Sequence, residues 1–235
     1  MSIYDLVPGH LPVVYSASLL AAALLVLAGL SVKRKIEAGG VVPDRGITLR
    51  NVFEAIVEYL LDMADATMGH DGRKYLGVVC SIFFFILIAN LMGLVPLVGG
   101  ATSYVEAACA WAIIAFLVYN FVGIKTHGWK YVYQFMGPSL LDLHVGGRKF
   151  HVRALAPLFL PLELLLHGAR ILTLTVRLLA NMFADHTVVG VWISMVPIAV
   201  PAIFMGLGTL VAFLQAFVFA LLTMIYIGSA LEEAH

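Results

Sequence analysis

Long apolar runs separated by short polar stretches dominate this chain. A membrane-spanning helix needs about 20 mostly apolar residues. Five runs reach that length, and they cover residues 11–32, 75–95, 105–124, 155–193 and 202–231. The pattern therefore predicts an all-α, polytopic membrane protein with five membrane-inserted helices in a single membrane domain, residues 1–235.

A sixth segment, residues 47–68, is apolar on one side only. Its apolar residues recur at helical spacing and are Leu49, Val52, Phe53, Ile56, Leu60, Met63 and Ala64. The opposite side is acidic and carries Glu54, Glu58, Asp62 and Asp65. A helix with one apolar and one charged side is amphipathic, so we predict that this one lies along the membrane surface.

The basic residues alternate between the two sides of the membrane. Of the 14 Lys and Arg residues, seven fall in residues 33–74 and five in residues 125–153, which leaves only Arg170 and Arg177 inside an apolar run. Because basic loops stay in the cytoplasm, we predict an external N-terminus and a cytoplasmic C-terminus. Basic residues follow the first run rather than precede it, which favours a retained span over a cleaved signal peptide.

The fourth run is too long for an upright helix. Its 39 residues would extend roughly 58 Å, against a hydrocarbon core of about 30 Å. Pro197 and Pro201 bracket the turn into the last run. The last two runs are therefore predicted to form a long, strongly tilted antiparallel hairpin.

One side of the fourth run is polar for most of its length. The polar residues fall within an arc of about 80° and are Glu163, His167, Arg170, Arg177, Asn181 and Asp185. A charge at the bilayer centre costs about 2.5–3.5 kcal/mol on insertion scales, so such a stripe indicates a water-filled path or a partner surface. A purely structural alternative remains open for the first three residues, because their spacing lets Glu163 and Arg170 neutralise each other.

Arg177 has no adjacent counter-charge. The closest acid on its own helix face is Asp185, eight residues and about 12 Å along the axis. The other spans carry no acid at mid-depth, since Glu232 and Glu233 lie at the very end of the last one. Arg177 would then be paired by water or by a carboxylate of another protein, and we favour the carboxylate.

Composition excludes several other functions. Apolar residues make up 62% of the chain, charged residues only 12%, and the net charge is zero, which gives no support to nucleic-acid binding. The chain has no HExxH, GxSxG or P-loop pattern, and we expect no cofactor or metal. Cys80 and Cys109 lie in apolar segments and are read as packing residues.

The segment from Leu174 to Ala184 resembles the arginine helix of subunit a of F-type ATP synthases, with the family's essential arginine at Arg177 and its asparagine at Asn181. Other matching stretches are Pro161-Leu-Glu163, Leu214-Gln-Ala-Phe217 and residues 90–96, which begin with Asn90 and end with Pro96. Departures from the family pattern are Asp185-His186 in place of glycine-glutamate, Gly208 where some members have histidine, and Glu106 in place of asparagine.

The resemblance implies a non-catalytic stator subunit that couples proton flow to rotation of a ring of c subunits. Arg177 would face the ring carboxylate. The outer half-channel would contain Asn181, Asp185, His186, Gln215 and Glu106. The inner one would contain Glu163, His167 and Arg170, with Glu232 or Glu233 as further candidates. His186 lies about 100° from the polar stripe, so a hydrogen-bonded packing role is equally open.

The same resemblance implies that the partners are the c-ring, the b subunits of the peripheral stalk, membrane lipid and, indirectly, the catalytic head. It also implies a bacterial inner membrane. The alternative function is a secondary proton-coupled transporter. Such proteins normally show two related halves, and this sequence shows no repeat. The choice between H⁺ and Na⁺ stays open.

Overall fold

The computed structural model describes residues 13–39, 48–69, 72–95, 102, 104–128, 141–145, 148–152, 156–195 and 199–231. These residues form six helices and one β-hairpin. The helices are α1 (Val13–Gly39), α2 (Leu49–Met68), α3 (Gly72–Leu94), α4 (Val105–His127), α5 (Ala156–Met195) and α6 (Ala199–Leu231). The strands are β1 (Leu141–Val145) and β2 (Arg148–Val152).

Five of the helices are long and apolar enough to cross a membrane, which confirms the predicted helical membrane architecture. The qualifying segments are Val14–Glu37, Gly72–Leu94, Val105–His127, Leu164–Met195 and Val200–Leu231. The helices extend past several of the predicted limits, as α1 does by continuing to Gly39. The reason is that hydropathy marks where the apolar run ends, whereas Lys and Arg continue a helix readily.

Helix α2 is amphipathic, as predicted, and packs against α3 and α6. It begins after Thr48, whose side chain accepts a hydrogen bond from the Asn51 backbone N–H at 3.3 Å. Leu60 and Ala64 are buried in the core, whereas Glu58 on the other side is exposed. A location at the membrane surface remains a prediction for this helix.

The hairpin of β1 and β2 was not predicted. The strands pair antiparallel, with Leu141 opposite Val152 and Val145 opposite Arg148. The sequence carries a readable signal for it, because apolar and polar residues alternate on both sides of Gly146-Gly147. The hairpin leaves the helical class of the membrane part unchanged.

The main core lies where α2, α3, α4, α5 and α6 meet. Its largest buried side chains include Phe83, Leu178 and Phe219. Helices α2 and α6 approach closely at Gly228, where a Cβ atom would lie 2.8 Å from the Thr67 carbonyl oxygen. This packing fixes the position of α6. It therefore also fixes the surface of α6 against which the polar residues of α5 pack.

Candidate functional site

Helix α5 has one packed polar side and one exposed apolar side. The polar stripe faces α4 and α6: His167 is buried, and Arg170, Arg177, Asn181 and Asp185 are partly buried. The other side carries Leu172, Val176 and Phe183, which are 65%, 57% and 72% exposed. The stripe therefore lines the inside of the helix packing, and an apolar surface remains for a partner or for lipid. The side chain of Glu163 lies outside the described residues.

Within the described part of the chain, no carboxylate forms an ion pair with Arg177. Its Nη1 atom is buried and makes no hydrogen bond. No ion pair joins Arg177 to Asp185 or to any other described carboxylate. The expected unpaired guanidinium thus agrees with the geometry of the described residues.

Asn181 and Gln215 bring α5 and α6 together one turn beyond Arg177. The Asn181 Nδ2 atom donates a hydrogen bond to Gln215 Oε1 at 2.7 Å. Gln215 is only 6% exposed, and its Nε2 atom is buried without a partner among the described residues. These two residues line a cavity of about 10 Å³ together with Asn90 and Asp185. That volume is close to the lower limit for one water molecule.

Asn90 on α3 is a site residue that the sequence analysis left without a role. It is buried, and its Oδ1 atom accepts a hydrogen bond from Thr102 Oγ1 at 2.7 Å. Thr102 is itself fully buried. An amide inside the apolar run of α3 was the available signal, because a buried polar group in a membrane helix indicates a site or a partner.

Asp185 lies between the small cavity and a larger one. The larger cavity has a volume of about 170 Å³, and His186, Gly93 and Gly190 are among its other lining residues. Asp185 lines both spaces and therefore lies between them. His186 is exposed and also lines an apolar groove of about 350 Å³ on the outer face of α5.

Gly208 on α6 faces the Asp185 carboxyl group. A Cβ atom at Gly208 would lie 3.6 Å from Asp185 Oδ1 and 2.5 Å from Leu94 Cδ2. The space that a larger residue would need is therefore occupied here by the side chains of Asp185 and Leu94. The two departures from the family pattern at these positions are in contact with each other.

A second polar group lies nearer the start of α5, among aromatic rings. The buried His167 ring contacts Phe116 and Tyr119, at centroid distances of 6.2 and 5.9 Å. The Cζ atom of Arg170 lies 4.6 Å from the Tyr226 ring centroid and 5.8 Å from that of Tyr119. Neither tyrosine was predicted from the sequence as a site residue, because an aromatic residue in an apolar helix looks like an ordinary packing residue.

The remaining candidates do not join these groups. Glu106 is exposed in the first turn of α4 and lines neither of the cavities that contain Asp185. Glu232 and Glu233 lie outside the described residues. Within the part of the chain that is described, no three His, Cys, Asp or Glu side chains come together as a metal site.

Comparison with known proteins gives a consistent result. The model of the family described as ATP synthase A chain matches residues 15–228. ATP synthase subunit a of Solibacter usitatus is 40% identical over 220 residues, which cover 93% of this chain and 89% of the relative. The subunit a of Geotalea uraniireducens is 38% identical over 92% of this chain and 86% of the relative. That of Bdellovibrio bacteriovorus is 37% identical over 83% and 80%.

Proposed function

This chain belongs to the ATP synthase A chain family, and we propose that Arg177 is the group through which it couples proton flow to rotation of a c-ring. Members of the family are stator subunits of the membrane sector of F-type ATP synthases. The comparisons give no support to the alternative of a secondary transporter. Within the complex, the chain is proposed to be non-catalytic and to form one multi-pass membrane domain.

The observation that carries this proposal is the unpaired guanidinium of Arg177. At 4 Å and an effective dielectric constant of about 20, two unit charges interact with about 4 kcal/mol. At the roughly 12 Å that separates Arg177 from Asp185 along α5, the same estimate falls to about 1.4 kcal/mol. A ring carboxylate that approaches Arg177 therefore interacts with it more strongly than Asp185 does. It is held in its ionised form as it passes.

The outer half-channel is proposed to run through the two cavities on either side of Asp185. The order supported by the lining residues is the larger space with His186, then Asp185, then the small cavity with Asn181 and Gln215. Asn90 joins this path as an additional member. Glu106 is proposed as an acid at the outer mouth, although no described contact connects it to the path.

The inner half-channel is proposed to begin at the other end of α5, with Glu163, His167 and Arg170. The burial of the polar His167 side chain supports a polar path on this side. The topology that matches this order has the N-terminus outside and the C-terminus in the cytoplasm. The partners proposed are the c-ring against the exposed face of α5, the b subunits of the peripheral stalk and membrane lipid.

Replacing Arg177 with alanine tests the central proposal. In membrane vesicles that contain the whole complex, Arg177→Ala should abolish ATP-driven proton pumping while the assembled complex stays near its normal amount. Arg177→Lys should restore little, because a compact ammonium lacks the fixed fork of the guanidinium. Pumping at the wild-type rate in the alanine variant would show that the proposal is wrong.

A matched control is available at Arg73 on α3. Its side chain is 72% exposed and pairs with Asp65 at 3.4 Å, which is a surface ion pair of small energetic value. Arg73→Ala should leave pumping and assembly unchanged. Equal loss of pumping in both variants would indicate a general effect of removing an arginine rather than a specific role of Arg177.

A further inference from the structure

Helix α5 carries two arginines on the same face, and only one of them is held by the chain itself. Arg170 and Arg177 are seven residues apart, so they point in nearly the same direction and are separated by about 10.5 Å along the axis. A ring carboxylate that passes α5 could pair with either guanidinium. If both were available, the second would capture the carboxylate that the first must release.

Two tyrosines surround the Arg170 guanidinium. The Tyr226 ring centroid lies 4.6 Å from Arg170 Cζ, and the Tyr119 centroid lies 5.8 Å from it, both within the roughly 6 Å range of cation–π contacts. The two rings also contact each other, with centroids 5.7 Å apart. Tyr119 is on α4 and Tyr226 is on α6, so the two helices that pack against α5 each contribute one ring.

This arrangement gives the Arg170 guanidinium two aromatic partners on the packed side of α5, the side on which Arg177 also lies. Tyr119 is only 2% exposed, so a guanidinium in contact with its ring lies among the helices and not on the apolar outer face. Among the described residues, no aromatic ring and no carboxylate holds Arg177 in the same way. The two arginines are therefore in different situations, although their positions on the helix are equivalent.

We propose that Tyr119 and Tyr226 form an aromatic clamp that keeps Arg170 away from the rotor, so that Arg177 alone meets the ring carboxylate. The clamp is a pair of positioning residues, because the tyrosines act through Arg170 and touch no proton carrier of the ring. This inference rests on the proposed function, since it requires a moving carboxylate opposite α5. It adds a reason why a second buried cation does not trap the rotor.

The test removes the nearer aromatic ring, that of Tyr226, and then removes the charge of Arg170. In vesicles with the whole complex, Tyr226→Leu should lower ATP-driven proton pumping about tenfold per assembled complex, because the released Arg170 competes for the ring carboxylate. Adding Arg170→Gln to the same chain should restore pumping to within about twofold of Arg170→Gln alone. Tyr226→Phe keeps the ring face and should lose at most about twofold.

Several outcomes would overturn the clamp. Wild-type pumping in Tyr226→Leu would do so, and so would a double variant that is as impaired as Tyr226→Leu, because loss of packing is not repaired by removing a charge. If Tyr226→Leu does not assemble, Tyr226→Met decides in its place, since its flexible side chain fills irregular space better than Leu and lacks the aromatic face. Tyr59→Leu is the matched control: this exposed tyrosine on α2 stacks on Phe217 at 5.8 Å and lies outside the site.

Arg177→Ala in the same vesicles separates this inference from the proposed function. If Arg177→Ala pumps normally, the proposed function itself fails. If Arg177→Ala abolishes pumping and the clamp variants behave like the wild type, only the clamp is wrong.

Discussion

The hydrogen bond between Asn181 and Gln215 offers a test that separates a structural role from a role in proton transfer. It is 2.7 Å long and joins α5 to α6. Asn181→Leu removes the donor and leaves both ends of the buried Gln215 amide without a described partner, since Nε2 already has none. An unsatisfied buried polar atom costs about 1–3 kcal/mol, which corresponds to a roughly 5- to 150-fold change in an equilibrium constant.

Gln215→Leu should cost less stability than Asn181→Leu. It removes the unpartnered Nε2 atom together with Oε1, and the Asn181 amide that remains is only half-buried and lines a cavity of about 10 Å³, close to the lower limit for one water molecule. The double variant should be nearly as stable as the wild type, because replacing both partners of a buried hydrogen bond with apolar groups is often close to neutral. The expected coupling between the two positions is about 1–2 kcal/mol.

Two measurements on the same three variants decide the matter. The temperature at which the chain dissociates from the detergent-solubilised complex reports stability, and it should recover in the double variant. ATP-driven pumping per assembled complex reports transport, and it should stay low in all three, because none of them retains both amides of the proposed path. Recovery of pumping together with stability in the double variant would show that the pair only holds the helices together.

Two further predictions follow from the same geometry. Asp185→Asn should slow ATP synthesis more than ATP-driven pumping, because Asp185 lies on the proposed entry side; equal losses in both directions would contradict this placement. Gly228→Ala places a Cβ atom 2.8 Å from the Thr67 carbonyl and should destabilise the packing of α2 on α6 by about 1–3 kcal/mol. Gly206→Ala, with nothing within 4 Å, is its control and should not lower the dissociation temperature of the complex.

Helix periodicity was enough to place the polar stripe, because a 3.6-residue repeat determines which α5 residues share a side. It correctly put His167 and Arg177 on one face, and the structure turns that face toward α4 and α6. Hydropathy located the five candidate spans for a similar reason. Each span must satisfy its backbone within itself, so length and apolarity alone indicate a membrane helix.

Contacts between segments that are distant in the sequence could not be predicted from helix periodicity. Thr102 and Asn90 are 12 residues apart in the sequence, and nothing in either segment indicates that their side chains meet. Arg50 shows the same limit within one helix. Its spacing from Glu54 places it on the polar side of α2, yet it is 1% exposed and pairs with Glu54 at 2.7 Å. Burial depends on which neighbouring helix covers a face, and a single helix does not contain that information.

The packed side of α5 also explains why two half-channels would not join into one open pore. Between Arg170 and Arg177 the inward positions include Leu174, which is 2% exposed, and Thr175, whose hydroxyl donates to the Ile171 carbonyl at 2.8 Å. Beyond Arg177 comes Leu178, which is 1% exposed. A proton moving along this side would therefore meet apolar packing and a fixed positive charge, with no free polar side chain to carry it. Under the proposed function, the transfer between the two sides would use a carrier outside this chain, and the exposed apolar face of α5 is the surface along which such a carrier would pass.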